Sequence, residues 1–145
     1  MRDVEDKTVD ILIVDDDIDL LTSLAELMTD CGYSVKAFPD ADSALEFALD
    51  RRFSVGLFDY RLGSLKNGLD VVENMQQMGC SASYVMITAE VEQAVALRAV
   101  HLKLFEFMRK PVEPQKLIET VEKAMLQAKK QAAKHCLEYE RLKVA

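Results

Sequence analysis

Four short apolar runs each stop on a polar residue, and this pattern constrains the fold more than any other feature of the chain. Ile11-Leu12-Ile13-Val14 runs into Asp15 and Asp16, and Val55-Gly56-Leu57-Phe58 runs into Asp59. Tyr84-Val85-Met86-Ile87 ends on Thr88, and the stretch from Phe105 to Arg109 ends on Lys110 and Pro111. Apolar runs this short, bounded by polar or turn residues, read as strands buried on both faces of a parallel sheet. In open α/β sheets, ligands and chemistry gather beyond the carboxyl ends of the strands. One edge of the sheet would then carry three carboxylates, a hydroxyl and an ammonium.

Between the runs the apolar period changes to that of helices. Strand one is read over residues 9–14 and helix one over about 18–31, with Leu20, Leu21, Leu24, Leu27, Met28 and Cys31 at helical spacing. Gly32 is placed to end that helix. Strand two (34–38) leads through Pro39-Asp40 into a helix carrying Ala41, Ala44, Leu45 and Ala48. Strand three (54–58) is followed by the turn-rich Gly63-Ser64-Leu65-Lys66-Asn67-Gly68 and by helix three at Leu69, Val72 and Met75. Strand four (83–87), helix four (about 91–102), strand five (104–108) and a long helix opening on Pro114 complete the series. The expectation is an α/β domain: a five-stranded parallel sheet, doubly wound, with helices on both faces.

At 145 residues the chain is long enough for one domain with a sizeable core. Its formal charge of -7 and the lack of a basic aromatic patch argue against nucleic-acid binding and suit protein partners. Cys31, Cys80 and Cys136 fit no metal or redox spacing, which points to a reduced, cytoplasmic setting. Cys31 and Cys80 are read as small buried hydrophobes. Met1 to Asp6 lack the apolar core of a signal peptide, and no run reaches transmembrane length. His101 and His135 are isolated and receive no role.

Taken singly, the polar residues have ordinary explanations. Asp17 suits a helix N-cap, Thr88 could cap helix four, and Lys110 could be a solvated lysine. Their joint occurrence at strand ends favours a shared site. Crowded carboxylates repel, and a hard divalent cation such as Mg²⁺, which takes oxygen ligands, relieves that repulsion. Asp15, Asp16 and Asp59 suit it, while zinc would call for His or Cys. With Lys110 and Thr88 to meet phosphoryl oxygens, a carboxylate held there can attack phosphorus in line. The residues themselves therefore point to phosphoryl transfer onto an aspartate of the protein.

The order Asp15-Asp16, Asp59, Thr88-Ala89 and Lys110-Pro111 resembles the response-regulator receiver domain of two-component signalling, CheY-like and flavodoxin-like in fold, over about residues 9–126. The resemblance implies a phosphoacceptor at Asp59 and an acidic Mg²⁺ pocket of Asp15, Asp16, Asp59 and the backbone carbonyl of Arg61, with Asp15 acting mainly through water. It implies further that Thr88 and Lys110 hold the phosphoryl group and that Lys110-Pro111 is a cis peptide. Phe107 becomes the switch aromatic, turning inward as Thr88 moves and altering the face made by helix four, strand five and helix five. The implied partners are a histidine kinase or phosphotransfer protein, a second copy through that face or the C-terminal helix, and an output domain or partner outside this chain. The catalysis is limited to the domain's own phosphoryl transfer and dephosphorylation. Gly63 stands where the family usually has Pro, Lys103-Leu104 replaces a common Gly-Ala pair, and Arg61 and Glu90 flank the acceptor and bear on the lifetime of its acyl phosphate.

Three other readings compete. A haloacid-dehalogenase-type phosphatase would use Asp15-Asp16-Asp17 but needs an acidic pair after its lysine, and it leaves Asp59 unexplained. A pseudo-receiver would keep the fold for binding alone. A flavodoxin-like cofactor binder would need a glycine- or hydroxyl-rich loop after strand one. Residues 1–126 are expected to form the receiver and 127–145 a linker or weak coiled coil. Along the last helix, expected from Pro114 to about Lys143, Ile118, Val121, Met125, Ala128, Ala132, His135, Tyr139 and Leu142 alternate in three- and four-residue steps. With no second domain within the 145 residues, a single-domain regulator and a fragment of a longer protein are both open.

Overall fold

The computed structural model describes residues 8–89 and 91–144. Glu90, to which the sequence assigned an influence on the acyl phosphate, lies outside the described residues, as do Met1 to Lys7 and Ala145.

Strands and helices alternate along the chain. They run β1 (Thr8–Val14), α1 (Ile18–Asp30), β2 (Val35–Phe38), α2 (Ala41–Ala48), β3 (Arg52–Asp59) and α3 (Gly68–Gln77). Then follow β4 (Ser83–Thr88), α4 (Gln93–His101), β5 (Glu106–Arg109) and α5 (Pro114–Val144). Among the described residues the strands form one parallel sheet in the order β2-β1-β3-β4-β5. The switch in strand order places β1 beside β3, so Val14 pairs with Phe58 and the residues that follow both strands emerge together.

Because both sheet faces are covered, alternate residues of a strand enter different cores. Leu12, Val14, Phe58, Tyr84 and Met86 pack with Ala41, Ala44, Leu69, Val72, Met75 and Val95 of α2, α3 and α4. Ile11, Ile13, Leu57, Val85 and Ile87 pack with Leu24 and Met28 of α1 and Leu117 and Val121 of α5. This accounts for runs that are apolar throughout, without the alternation of a half-exposed sheet. Within the first core Tyr84 lies edge-on to Phe53 and Phe58, with centroids 5.9 and 5.7 Å apart. Its hydroxyl donates to the carbonyl of Cys80 at 2.9 Å, and burial pushes the phenol pKa up.

Helix ends follow their capping residues. Asp17 caps α1, accepting from Leu20 N–H at 3.3 Å, and Asp40 caps α2, accepting from Ser43 N–H at 2.7 Å. Asn67 and Asp70 form a reciprocal capping box at the start of α3, each bond 2.9 Å. Three sequence expectations need correction. Helix four begins at Gln93, two residues later than expected. Strand five begins at Glu106, because Lys103 takes a left-handed φ of 59° and Leu104 N–H bonds back to Ala99 O. Cys31 is exposed: it is the C-cap of α1, past the buried face, whereas Cys80 is buried as expected.

The last helix spans 31 residues, roughly 46 Å at 1.5 Å per residue. Its first half packs on the sheet through Leu117, Val121, Ala124, Met125 and Ala128, while every residue from Lys129 to Lys143 is exposed. Among the described residues no helix is long and apolar enough to cross a membrane.

Candidate functional site: an acidic cleft with a lysine across it

The carboxyl ends of β1, β3, β4 and β5 open into one cleft of about 150 Å³, lined by Asp16, Asp59, Arg61, Thr88, Ala89 and Lys110. Asp15 lies directly beneath it. One oxygen each of Asp15, Asp16 and Asp59 falls within 4.8 Å of the others, the carboxylate group of metal-binding geometry found among the described residues. Asp15 and Asp59 are buried, with 2% and 6% of their surfaces exposed, while Asp16 is exposed at the mouth.

Each carboxylate is positioned by its neighbours. Asp15 Oδ1 accepts from Asp17 N–H at 2.9 Å, so the N-cap turn of α1 fixes it. Asp59 Oδ1 accepts from Arg61 N–H at 3.4 Å. Lys110 Nζ crosses the cleft and donates to Asp59 Oδ2 at 2.9 Å and Asp15 Oδ2 at 3.2 Å. The lysine is set by its backbone, whose N–H donates to Thr88 O at 2.8 Å, and the Lys110–Pro111 peptide is cis. Burial raises the Asp15 pKa, and the nearby Asp59 charge adds to this, against the opposing pull of Asp17 N–H and Lys110. Burial would lower the Lys110 pKa, but the bond to Asp59 and the charges of both carboxylates outweigh it and hold the ammonium above its ordinary value.

Two glycines shape the cleft. A Cβ on Gly68 would clash with the backbone carbonyl oxygen of Asp59 and stand 3.0 Å from Met86 Sδ. Only a residue without a side chain lets the N-terminus of α3 sit there and donate Gly68 N–H to Tyr60 O at 2.8 Å. Gly63 has φ +65° and passes so close that a Cβ would lie 3.1 Å from Asp16 Oδ2. The sequence marked both as turn glycines and gave no sign of these approaches, which are made through space.

Phe107 lies apart from this group. It is half-buried and lines a second groove with Val91, Ala96, Ala99 and Val100 on the α4 side of β5. Asp15, Asp16, Asp59, Arg61, Thr88 and Lys110 thus converge, while Phe107 belongs to the neighbouring surface.

Three acidic oxygens fit a hard divalent cation such as Mg²⁺ and do not suit a thiophilic metal. A carboxylate beside a fixed ammonium, at an opening of this size, can receive a phosphoryl group.

The chain is 30% identical over 112 residues to the transcriptional regulatory protein FixJ of Rhizobium meliloti, covering 77% of this chain and 54% of FixJ. The match thus spans about half the length of that relative. The solved receiver domain of NtrX from Brucella abortus is 31% identical, with a TM-score of 0.73 over 80% of this chain and 98% of that domain. A CheY-like receiver domain from Methanospirillum hungatei is 25% identical, with a TM-score of 0.79 over 86% of this chain and 98% of that one. Residues 11–122 match the family model of the response regulator receiver domain, and the chain belongs to that family.

Proposed function

We propose that this receiver is switched by phosphorylation of Asp59, the phosphoryl group coming from a phosphohistidine of a histidine kinase or phosphotransfer protein. The observation that carries the reading is Lys110 Nζ at 2.9 Å from Asp59 Oδ2 and 3.2 Å from Asp15 Oδ2, within a cluster of three carboxylates. Asp59 Oδ2 attacks phosphorus, the P–N bond of the donor breaks with its electron pair left on that nitrogen, and the ring, already protonated on its other nitrogen, leaves as neutral imidazole. Asp15, Asp16, Asp59 and the Arg61 carbonyl would hold Mg²⁺, which when bound neutralises charge on the phosphoryl oxygens. Lys110 moves from the Asp59 carboxylate to the phosphoryl oxygens, keeping a counter-charge at the acceptor throughout. Thr88 donates to another of those oxygens.

The consequence is a change of surface. Drawing Thr88 towards the phosphoryl group vacates space beside β4, and Phe107 turns into it from the groove it lines with α4. The face formed by α4, β5 and α5 is then the one that meets a second copy or an output partner, and by reciprocity such a partner favours phosphorylation. Residues 1–126 act as the receiver. The extension 127–145 serves as a linker or weak coiled coil, its residues exposed from Lys129 to Lys143. The domain is a cytoplasmic signalling module whose catalysis is confined to its own phosphoryl group. The reading predicts hydroxylamine-labile phosphorylation by a phosphohistidine donor that is absent in Asp59→Asn. Persistence of the same label in that variant would contradict it.

A further inference from the structure

Arg98 ties α4 to the start of α3. Its guanidinium Nη2 lies 2.8 Å from Asp70 Oδ1 and 2.7 Å from Glu73 Oε2, so one side chain spans two carboxylates a helical turn apart. Asp70 is itself fixed, since its other oxygen accepts from Asn67 N–H at 2.9 Å in the capping box. Asn67 also reaches Tyr60 Oη at 3.4 Å, and the next residue, Gly68, sits against the backbone of Asp59. The anchor for Arg98 is therefore continuous with the strand end that carries the acceptor.

Among the described residues, little else holds α4 in place. Among its residues only Val95 and Ala99 are buried, Gln93 and Ala94 of its first turn are exposed, and the N-cap Glu92 makes no side-chain capping bond. Gln76 Nε2 adds one bond to Leu102 O at 2.7 Å, beyond the C-terminal end of the helix. Two charge-assisted contacts are a large share of the restraint on a helix packed through two small side chains. In the same arrangement Lys110 is engaged directly with Asp59, the contact a phosphoryl group would replace.

We propose that Arg98 is a positioning residue of the switch: its double ion pair to Asp70 and Glu73 latches α4 in the phosphoryl-free arrangement and sets how readily the phosphorylated one forms. This rests on the proposed phosphorylation of Asp59. A ligand that prefers the unlatched state binds more tightly by the factor through which the latched state is weakened. Loss of two partly exposed ion pairs supplies a factor of roughly three to ten. Replacing Arg98 with Lys keeps the charge but loses the planar fork, and restores only part of the restraint.

The test uses the whole chain at saturating Mg²⁺, titrated with beryllofluoride as a phosphoryl mimic and followed by fluorine NMR. Arg98→Ala and Glu73→Gln are compared with wild type, and Glu73→Gln avoids disturbing the α3 cap that Asp70 serves. The proposal predicts that Arg98→Ala binds the mimic at least about threefold more tightly, that Glu73→Gln, which loses one of the two pairs, and Arg98→Lys fall between it and wild type, and that amide exchange of α4 rises in Arg98→Ala without the mimic. A lowered melting temperature with unchanged or weaker mimic affinity reduces Arg98 to a surface stabiliser and overturns the proposal. Unchanged α4 exchange overturns it as well. Failure of wild type to bind the mimic removes the phosphorylation reading and this inference together, whereas binding by wild type with no gain in the variants removes the inference alone.

Discussion

Replacing Lys110 with Met keeps most of the apolar stem and removes the ammonium, with its charge and its hydrogen-bond donors. The Lys110 side chain, 19% exposed, brings its ammonium to Asp59 and Asp15 at 2.9 and 3.2 Å, and their side chains are 7% and 2% exposed. At an effective dielectric near 20 each contact carries about 5 kcal/mol of gross attraction, most of it offset by the cost of desolvating the three groups. Removing one partner of such a buried set costs about 3–5 kcal/mol, because the carboxylates stay behind without a counter-charge. The partial exposure of Lys110 puts the expected loss near the lower end, about 3 kcal/mol at pH 7.5 in urea unfolding with EDTA present. The sign of the pH dependence follows from Asp15. Its pKa is already raised by burial and by Asp59, and losing Lys110 raises it further. The folded variant then binds more protons than the unfolded chain, so its stability increases as pH falls. The deficit should shrink as pH falls from 7.5 to 5, and millimolar Mg²⁺ should recover part of it at pH 7.5. A deficit below about 1 kcal/mol, or one that does not change with pH or Mg²⁺, would show that the lysine is not compensating buried charge.

Two further substitutions test the framework around the cleft. Gly68→Ala forces α3 away from the Asp59 carbonyl and should cost about 2 kcal/mol, read as a fall of roughly 4–8 °C in melting temperature. Gly79→Ala, at φ +87° with open space around it, separates backbone strain from this clash. Asp40→Ala removes the cap of α2 and should cost about 1 kcal/mol at neutral pH in denaturant unfolding. The Ser43 N–H and hydroxyl hold Asp40 below the ordinary carboxylate value of 3.8, so this contribution is present above that value and is lost as pH falls through the lower folded one.

The strand ends were legible because a polar residue closing an apolar run has few explanations other than a site at the sheet edge. Asp15, Asp59, Thr88 and Lys110 stood out for that reason, and the fold brings them together. Leu104 and Phe105 prolong the apolar run, so the sequence pattern starts strand five two residues early. In the fold, the left-handed Lys103 returns Leu104 to the end of α4, leaving the strand to begin at Glu106. Cys31 continues the helical stripe of α1 in sequence, but the helix ends before it can turn inward. The latch of Arg98 on Asp70 and Glu73 joins residues more than twenty positions apart with no shared periodicity, so local pattern carries no trace of it. The same holds for Gly63 against Asp16 and Gly68 against Asp59, where meaning lies in what the backbone approaches.

The most direct test of the central claim is the intact mass of the chain after incubation with acetyl phosphate and Mg²⁺, for wild type and Asp59→Ala. The account predicts one added phosphoryl group on wild type, abolished by EDTA and absent from the variant. No adduct on wild type under conditions where it remains folded, or an equal adduct on Asp59→Ala, would contradict it.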